Sequence, residues 1–180
     1  MSVNKLPPIK NVPDLNTIGR AGVLDALFEP CTALHTLSLE NLGATTFGSY
    51  DDLIKSVETR LVELSESSLP TDLDWLDKIL AAHPRLGAKK VDSAQSQSEQ
   101  MQLHMGGQEE AEQLRALNSE YEDKYPGLRY VVFVNGRSRD VIMENMRARI
   151  ARGNIKLERA EAIMAMADIA TDRAKKLNAP

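Results

Sequence analysis

Hydrophobic positions along the chain recur at steps of three and four residues, which is the spacing of one face of an α-helix. The clearest stripe follows Ser49, where six apolar residues share one face and Ser49 with Asp52 marks the helix start. Similar stripes predict helices over Thr17–Glu29, Thr32–Asn41, Thr71–Ala82 and Gln108–Lys124, and after Ser138 and Asn154. The pattern therefore predicts about seven or eight helices in a single compact multi-helix domain of the all-α class.

Three parts of the chain refine this picture. The last helix carries a narrow stripe of mostly small residues, which permits close helix packing: Ala160, Ile163, Ala167, Ala170, Ala174 and Leu177. The segment from Gly87 to Gly107 is polar and almost free of Val and Ile. Residues 129–134 contain the only strand-like run, Tyr-Val-Val-Phe-Val. Because no second strand is predicted, we interpret it as a short extended apolar segment whose backbone groups need other partners.

Length and composition indicate a globular protein with its own core. A chain of 180 residues, 42% of them hydrophobic and 27% charged, can bury a sizeable core without disulfides or metals. Three prolines before residue 14 predict an N-terminal arm over residues 1–13, followed by one helical domain over residues 14–180.

Charge and targeting signals narrow the partners. The formal charge of −4 gives no general attraction to a phosphate backbone, so we expect no nucleic-acid partner. No apolar run approaches the roughly 20 residues of a membrane span. The single cysteine, Cys31, indicates a reducing compartment. We expect a cytoplasmic protein; a peroxisomal location stays open, although residues 177–180 carry no peroxisomal signal.

His83 is the first candidate for chemistry. Leu76, Leu80 and His83 fall at steps of four and three residues, so the imidazole follows the apolar face and points inward. Pro84 disfavours helical geometry at the residue before it, which places His83 at a helix end. Such a histidine is suited to proton transfer, yet a hydrogen-bonded core histidine has the same pattern. Position alone leaves both interpretations open.

The second candidate is the segment 96–100, Ser-Gln-Ser-Glu-Gln, which offers two hydroxyls, two amides and one carboxylate. Ser96 followed by Glu99 also matches a helix capping box, and spacing alone does not separate the two interpretations. His35 and His104 are interpreted as structural, because the three histidines are too scattered for a helix-borne metal motif. Several arginines in the last third predict a mostly solvated face, from which one or two could pair a substrate carboxylate.

Together these motifs resemble the 2-oxo-4-hydroxy-4-carboxy-5-ureidoimidazoline (OHCU) decarboxylases of urate breakdown. The most specific match is His83-Pro84-Arg85-Leu86-Gly87, followed by Ser96-x-x-Glu99-Gln100. The supporting matches are Phe47-Gly48-Ser49, Leu117-Asn118 to Tyr125, Tyr130 to Val134 before Gly136-Arg137-Ser138, and Ile169-Ala170 with Arg173. They span nearly the whole chain, which is identified as a divergent member of this family.

The resemblance implies a cofactor-free, usually homodimeric carboxy-lyase that acts on a small molecule without a metal and converts OHCU to (S)-allantoin. It implies His83 as the proton-transfer residue and Glu99 as the second catalytic residue, which orients His83 and keeps its proton available near neutral pH. The implied substrate-binding residues are Pro84, Ser96, Gln97, Ser98, Gln100, Tyr130, Val131, Val132, Phe133, Val134 and Arg173. Arg173 is expected to pair with the substrate carboxylate.

Two alternatives stay open. A non-catalytic helical interaction domain would need only the amphipathic helices, and the joint presence of His83 and Glu99 in register argues against it. A decarboxylase of another small ureido or keto acid would carry the same motifs, so only a comparison of substrates separates it from the first interpretation.

Overall fold

The long C-terminal helix lies at the centre of the molecule, and earlier helices pack around it. A computed structural model of the protein describes residues 5–88, 93–101 and 107–178. Its eight α-helices are α1 Thr17–Phe28, α2 Thr32–Ala44, α3 Tyr50–Glu66, α4 Pro70–Leu80, α5 Ala94–Gln100, α6 Gln108–Lys124, α7 Arg139–Arg152 and α8 Ile155–Asn178. The described residues contain no strand, which confirms the predicted all-α class.

The central helix α8 contacts α1, α3 and α4. Its buried apolar residues are Ala162, Ile163, Ala165, Met166, Ile169, Ala170 and Ala174. The predicted narrow stripe is therefore partly wrong, since Ala160 is exposed and the buried face is broader. The breadth follows from packing on several sides, because neighbours on different flanks of α8 each cover a different row of side chains. Its small residues allow those neighbours to approach closely.

Several predicted helix starts are confirmed by side-chain caps. The Ser49 hydroxyl accepts the Asp52 N–H at 3.1 Å, and the side chain of Ser138 caps α7. The Asn154 side chain accepts the N–H groups of residues 156 and 157, each at 3.1 Å. Each contact satisfies a donor that the helix itself leaves without a partner.

Near the candidate site, one predicted helix start is wrong, and the capping-box interpretation of Ser96 is not confirmed. The helix before His83 begins at Pro70 rather than at Thr71, because proline at the first helical position loses no intrahelical hydrogen bond. The cap of α5 is Ser93, whose hydroxyl accepts the Ser96 N–H at 3.2 Å, so Ser96 lies inside the helix. The side chain of Ser96 is therefore free for another contact.

The described part of the N-terminal arm, residues 5–13, packs against the helices. Leu6 and Val12 are buried, and the Tyr50 hydroxyl donates to the Pro7 carbonyl at 2.7 Å. Some predictions fall outside the described residues. They concern the structural role of His104, the first four residues of the arm, and the polar residues at positions 89–92. No helix in the described ranges is both long and apolar enough to cross a bilayer.

Candidate active site

A partly enclosed cavity of about 210 Å³ lies beside the end of α4, the inner face of α5 and the C-terminal part of α8. The fourth wall is the segment of residues 130–134, which we call the strap. The lining residues are His83, Pro84, Leu86, Ser96, Ser98, Glu99, Gln100, Tyr130, Val131, Val132, Phe133, Val134, Asn135, Gly136, Ile169, Asp172 and Lys176.

The turn after α4 places His83 in this wall. The helix ends at Leu80, two residues earlier than predicted, so His83 lies in the turn, where only 5% of its surface is exposed. Two contacts hold the rest of the turn. The buried Asn118 side chain donates to the Leu86 carbonyl at 3.0 Å, and the Gly87 N–H donates to the Gln100 side chain at 2.9 Å. The turn is therefore fixed to both α6 and α5.

Burial, and after it the positive charge of Arg173, lower the pKa of His83 from its usual 6.5 to about 4. The negative charge of Glu29 acts in the opposite direction but does not compensate. The prediction that a carboxylate keeps the histidine protonated near neutral pH is therefore wrong: His83 is neutral there. Its Nε2 atom is buried and has no hydrogen-bond partner among the described residues.

Helix α5 supplies the polar wall. Its Ser93 cap fixes the start, and the three- and four-residue steps to Ser96, Glu99 and Gln100 bring these side chains to one face. Ser98 lies at the edge of the cavity and is largely exposed. Gln97 is exposed on another face and is not among the lining residues.

Arg173 lies behind this wall, with 1% of its surface exposed. Its Nε and Nη2 atoms contact the two Glu99 oxygens at 2.7 and 2.9 Å, and Nη2 also contacts a Glu29 oxygen at 2.7 Å. The Ser96 hydroxyl accepts from Arg173 at 3.0 Å and donates to Glu29. The cluster is therefore a buried arginine between two carboxylates, with one serine joining them.

These contacts differ from the roles expected for two residues. Glu99 was expected to orient His83, but its carboxylate pairs with Arg173. Arg173 was expected to meet the substrate carboxylate, but it does not line the cavity, and its Nε and Nη2 atoms already contact carboxylates. A charged pair is favoured here because each buried charge would otherwise be left without compensation.

The strap joins α6 to α7 without regular secondary structure. All five of its residues, 130–134, line the cavity, as predicted from the resemblance. The turn that follows it needs left-handed backbone at Asn135, with φ of 45°, and at Gly136, with φ of 71°. This Asn-Gly pair reverses the chain and directs it into α7.

Eleven of the thirteen residues expected at the site line one cavity, and Gln97 and Arg173 do not. Glu29 was missed, because it follows an apolar helix end and no spacing rule links it to α5. Its backbone φ of 88° is unusual for a residue other than glycine. Ile169, Asp172 and Lys176 were also missed, although their steps of three and four residues share a helix face.

Comparison with known proteins identifies the family of the chain. The family model described as OHCU decarboxylase matches residues 15–175. The chain is also similar to the uric acid degradation bifunctional protein PucL of Bacillus subtilis (strain 168), with 29% identity over 139 residues. That match covers 76% of this chain and 26% of PucL, so the chain spans about a quarter of the length of that curated relative. Because the family match covers nearly all of the sequence, the protein belongs to the OHCU decarboxylase family, a family of carboxy-lyases.

Proposed function

We propose that the protein decarboxylates OHCU to (S)-allantoin in urate catabolism, with His83 as the proton-transfer residue. Family membership supports the reaction class. The observation that carries the histidine assignment is the buried Nε2 atom of His83, which has no partner in the described part of the chain and lies in the cavity wall. A buried polar atom is normally hydrogen-bonded, so a ligand is a reasonable partner for this one.

The chemistry needs no external electron sink. Loss of carbon dioxide from C4 of the substrate leaves an electron pair, which moves into the C4–C5 bond and displaces the C5–N1 imine electrons onto N1. Solvent supplies one proton to that nitrogen, giving an enol with a hydroxyl on C4. The imine therefore takes the part that a carbanion-stabilising cofactor takes in other decarboxylases.

A neutral His83 is suited to the remaining step. Its Nε2 atom takes the proton from the C4 hydroxyl and then gives that proton to C5, so the histidine ends as it began and C4 becomes a carbonyl. Delivery from one wall of the cavity adds the proton to one face of C5, which gives one enantiomer of allantoin. Positioned proton transfer of this kind contributes about 10²–10⁴-fold to rate.

The other lining residues bind the substrate in this proposal. Ser96, Glu99 and Gln100 offer one hydroxyl, one carboxylate and one amide along α5, and the strap offers backbone groups on the opposite wall. Arg173 holds the Glu99 carboxylate rather than the substrate. Among the described lining residues, Lys176 is the remaining cation once His83 is neutral. Its ammonium contacts Asp172 at 2.6 Å but is largely exposed, so the substrate carboxylate is placed toward it.

The test generates the substrate in place with urate oxidase and hydroxyisourate hydrolase and follows optical activity by circular dichroism. The wild-type protein is expected to produce (S)-allantoin much faster than the spontaneous racemic decay. His83→Ala should return the signal to the spontaneous rate while the protein stays folded. His35→Asn is the matched control, because His35 pairs with Asp25 away from the cavity.

Two results would count against the proposal in different ways. A wild-type protein that leaves the spontaneous decay unchanged would favour another ureido or keto acid, or a non-catalytic role. Unchanged turnover by His83→Ala would remove the histidine assignment alone. The resemblance also supports a homodimer, which light scattering on the purified protein would test.

A further inference from the structure

The strap separates the His83 cavity from a second groove. The second groove has a volume of about 270 Å³ and is lined by Arg137, Asn145 and Arg149. Val132 and Phe133 line both spaces, so the strap is a wall with one side toward His83 and the other toward the two arginines. Within the described part of the chain the wall has no sheet partner, so its shape must be held by other contacts.

Arg149 holds the first half of the strap. Its Nη1 atom donates to the Val131 carbonyl at 2.8 Å, and its guanidinium lies 4.6 Å from the centre of the Tyr130 ring. The arginine is itself fixed by Glu158, which is fully buried and accepts from its Nε atom at 2.8 Å. Arg149 is thus an oriented buried donor that is directed at one backbone carbonyl.

Arg137 holds the second half. Its Nη2 atom donates to the Phe133 carbonyl, and its Nε atom donates to the Val134 carbonyl at 3.3 Å. Its own backbone N–H also donates to the Val134 carbonyl, at 2.9 Å, which closes the turn. Unlike Arg149, Arg137 is exposed, so its side chain can be removed without opening the core.

The two arginines determine which backbone groups face His83. In an extended chain, the N–H and C=O groups of one residue point to the same side, and those of the next residue point to the opposite side. The carbonyls of Val131 and Phe133 are directed to the arginines. By this alternation, an extended strap should turn the N–H and C=O groups of Val132 to the opposite side, toward His83. Adjacent donor and acceptor groups of this kind match the N–H and C=O of a cyclic ureide.

We propose that Arg137 and Arg149 are positioning residues for substrate binding, which hold the strap so that the main chain of Val132 presents one donor and one acceptor to a cyclic ureide. This inference rests on the proposed decarboxylase function and adds to it. The arginines themselves do not touch the substrate. Their loss should therefore weaken substrate binding more than it slows the chemical step at His83.

The experiment measures KM and kcat by circular dichroism for Arg137→Ala, for Arg137→Lys, and for Arg149→Met combined with Glu158→Gln. Losing a charge-assisted hydrogen bond that holds the wall should raise KM about tenfold, with kcat changing less than about threefold. Arg137→Lys should recover part of the loss, because an ammonium still donates to one carbonyl. Arg159→Met is the control, since Arg159 forms a comparable part-buried pair with Asp77, at 2.8 Å, and neither residue lines the cavity or the second groove.

The outcomes separate this inference from the proposed function. A raised KM in the Arg137 and Arg149 variants with an unchanged KM in Arg159→Met supports the positioning role. A KM within twofold of wild type in folded Arg137→Ala overturns it, as does an equal rise in the control variant. If the double variant fails to fold, Arg137→Ala alone decides the matter, because its side chain is exposed. Absence of wild-type turnover counts against the decarboxylase function itself.

Discussion

The guanidinium of Arg173 forms a two-point ion pair with the carboxylate of Glu99, with Nε–Oε1 at 2.7 Å and Nη2–Oε2 at 2.9 Å. The pair joins α8 to α5 across the back of the cavity. The arginine fixes the position of the Glu99 carboxylate, which lines the cavity. In this arrangement both residues shape the site. Planar, two-point contacts of this kind restrict geometry as well as supplying energy.

Glu99→Gln should lower the free energy of unfolding by about 1–3 kcal/mol, because the buried Arg173 loses one of the two carboxylates that it contacts among the described residues. Glu63→Gln is the control, since the Glu63–Arg60 pair is exposed on both sides and should change stability by less than about 0.5 kcal/mol. Urea unfolding of both variants gives the comparison. Equal losses would show that the pair contributes no more than a surface pair.

The helices were predictable from sequence because amphipathic faces repeat locally. Most elements, including the Ser49 and Ser138 starts, needed only the spacing of apolar residues and one cap. Most residues that line the cavity were also predictable. The His83 turn and the 96–100 segment match a family pattern, and they lie close together in the sequence. Residues 130–134 lacked a strand partner, which already indicated that their backbone served another purpose.

The contacts behind the wall could not be predicted in this way. Glu29 meets Arg173 across 144 residues of chain, and Arg149 meets Val131 only because α7 folds back on the strap. Helical spacing describes one element at a time and does not say which charged groups of distant elements come together. The direction of the His83 pKa shift was missed for the same reason, because it depends on burial and on Arg173 rather than on sequence neighbours.

The imidazole of His83 should titrate near pH 4 rather than near its usual 6.5, because burial penalises the charged form. Nuclear magnetic resonance of the ring protons over pH 3.5 to 8 measures this midpoint, with His83→Asn identifying the signal among the three histidines. Because kcat/KM reports the ionisation of the free protein, protonation of His83 should lower kcat/KM only well below pH 6. A midpoint at or above 6.5 would contradict the burial argument.

The same shift makes stability depend on pH, with a definite sign. The folded-state pKa lies below the unfolded value, so the unfolded chain binds the proton first as pH falls. The stabilisation is therefore complete above about pH 6.5 and is lost between about 6.5 and 4. A shift of this size corresponds to a total of about 3 kcal/mol.

His83→Leu should remove this part of the pH dependence. The free energy of unfolding of wild type and of His83→Leu is measured in urea at pH 7 and at pH 4.5. Between these values wild type should lose about 2 kcal/mol more than the variant. Comparing the two proteins removes the contribution of the carboxylates to the pH dependence, because they titrate in both. A difference that is the same at both values of pH would show that His83 does not titrate anomalously.

Two features of the structure make substitution of Gly87 costly. Its φ of 72° lies in the left-handed region, and a Cβ built on it would lie 2.7 Å from Cδ2 of Leu114. Gly127 shares the first feature, with φ of 92°, but its nearest contact would be 3.9 Å away. Gly127→Ala should therefore cost about 1–2 kcal/mol from backbone strain alone.

Gly87→Ala should cost about 1 kcal/mol more than Gly127→Ala, because Leu114 must also move. It should lower turnover as well, since the Gly87 N–H holds Gln100 and the same turn carries His83. Leu114→Ala introduced into Gly87→Ala makes room for the new methyl group, so the double variant should lose less than the sum of the two single losses. Urea unfolding of the four variants measures these terms. Additive losses would mean that the contact with Leu114 is not what makes Gly87 costly to replace.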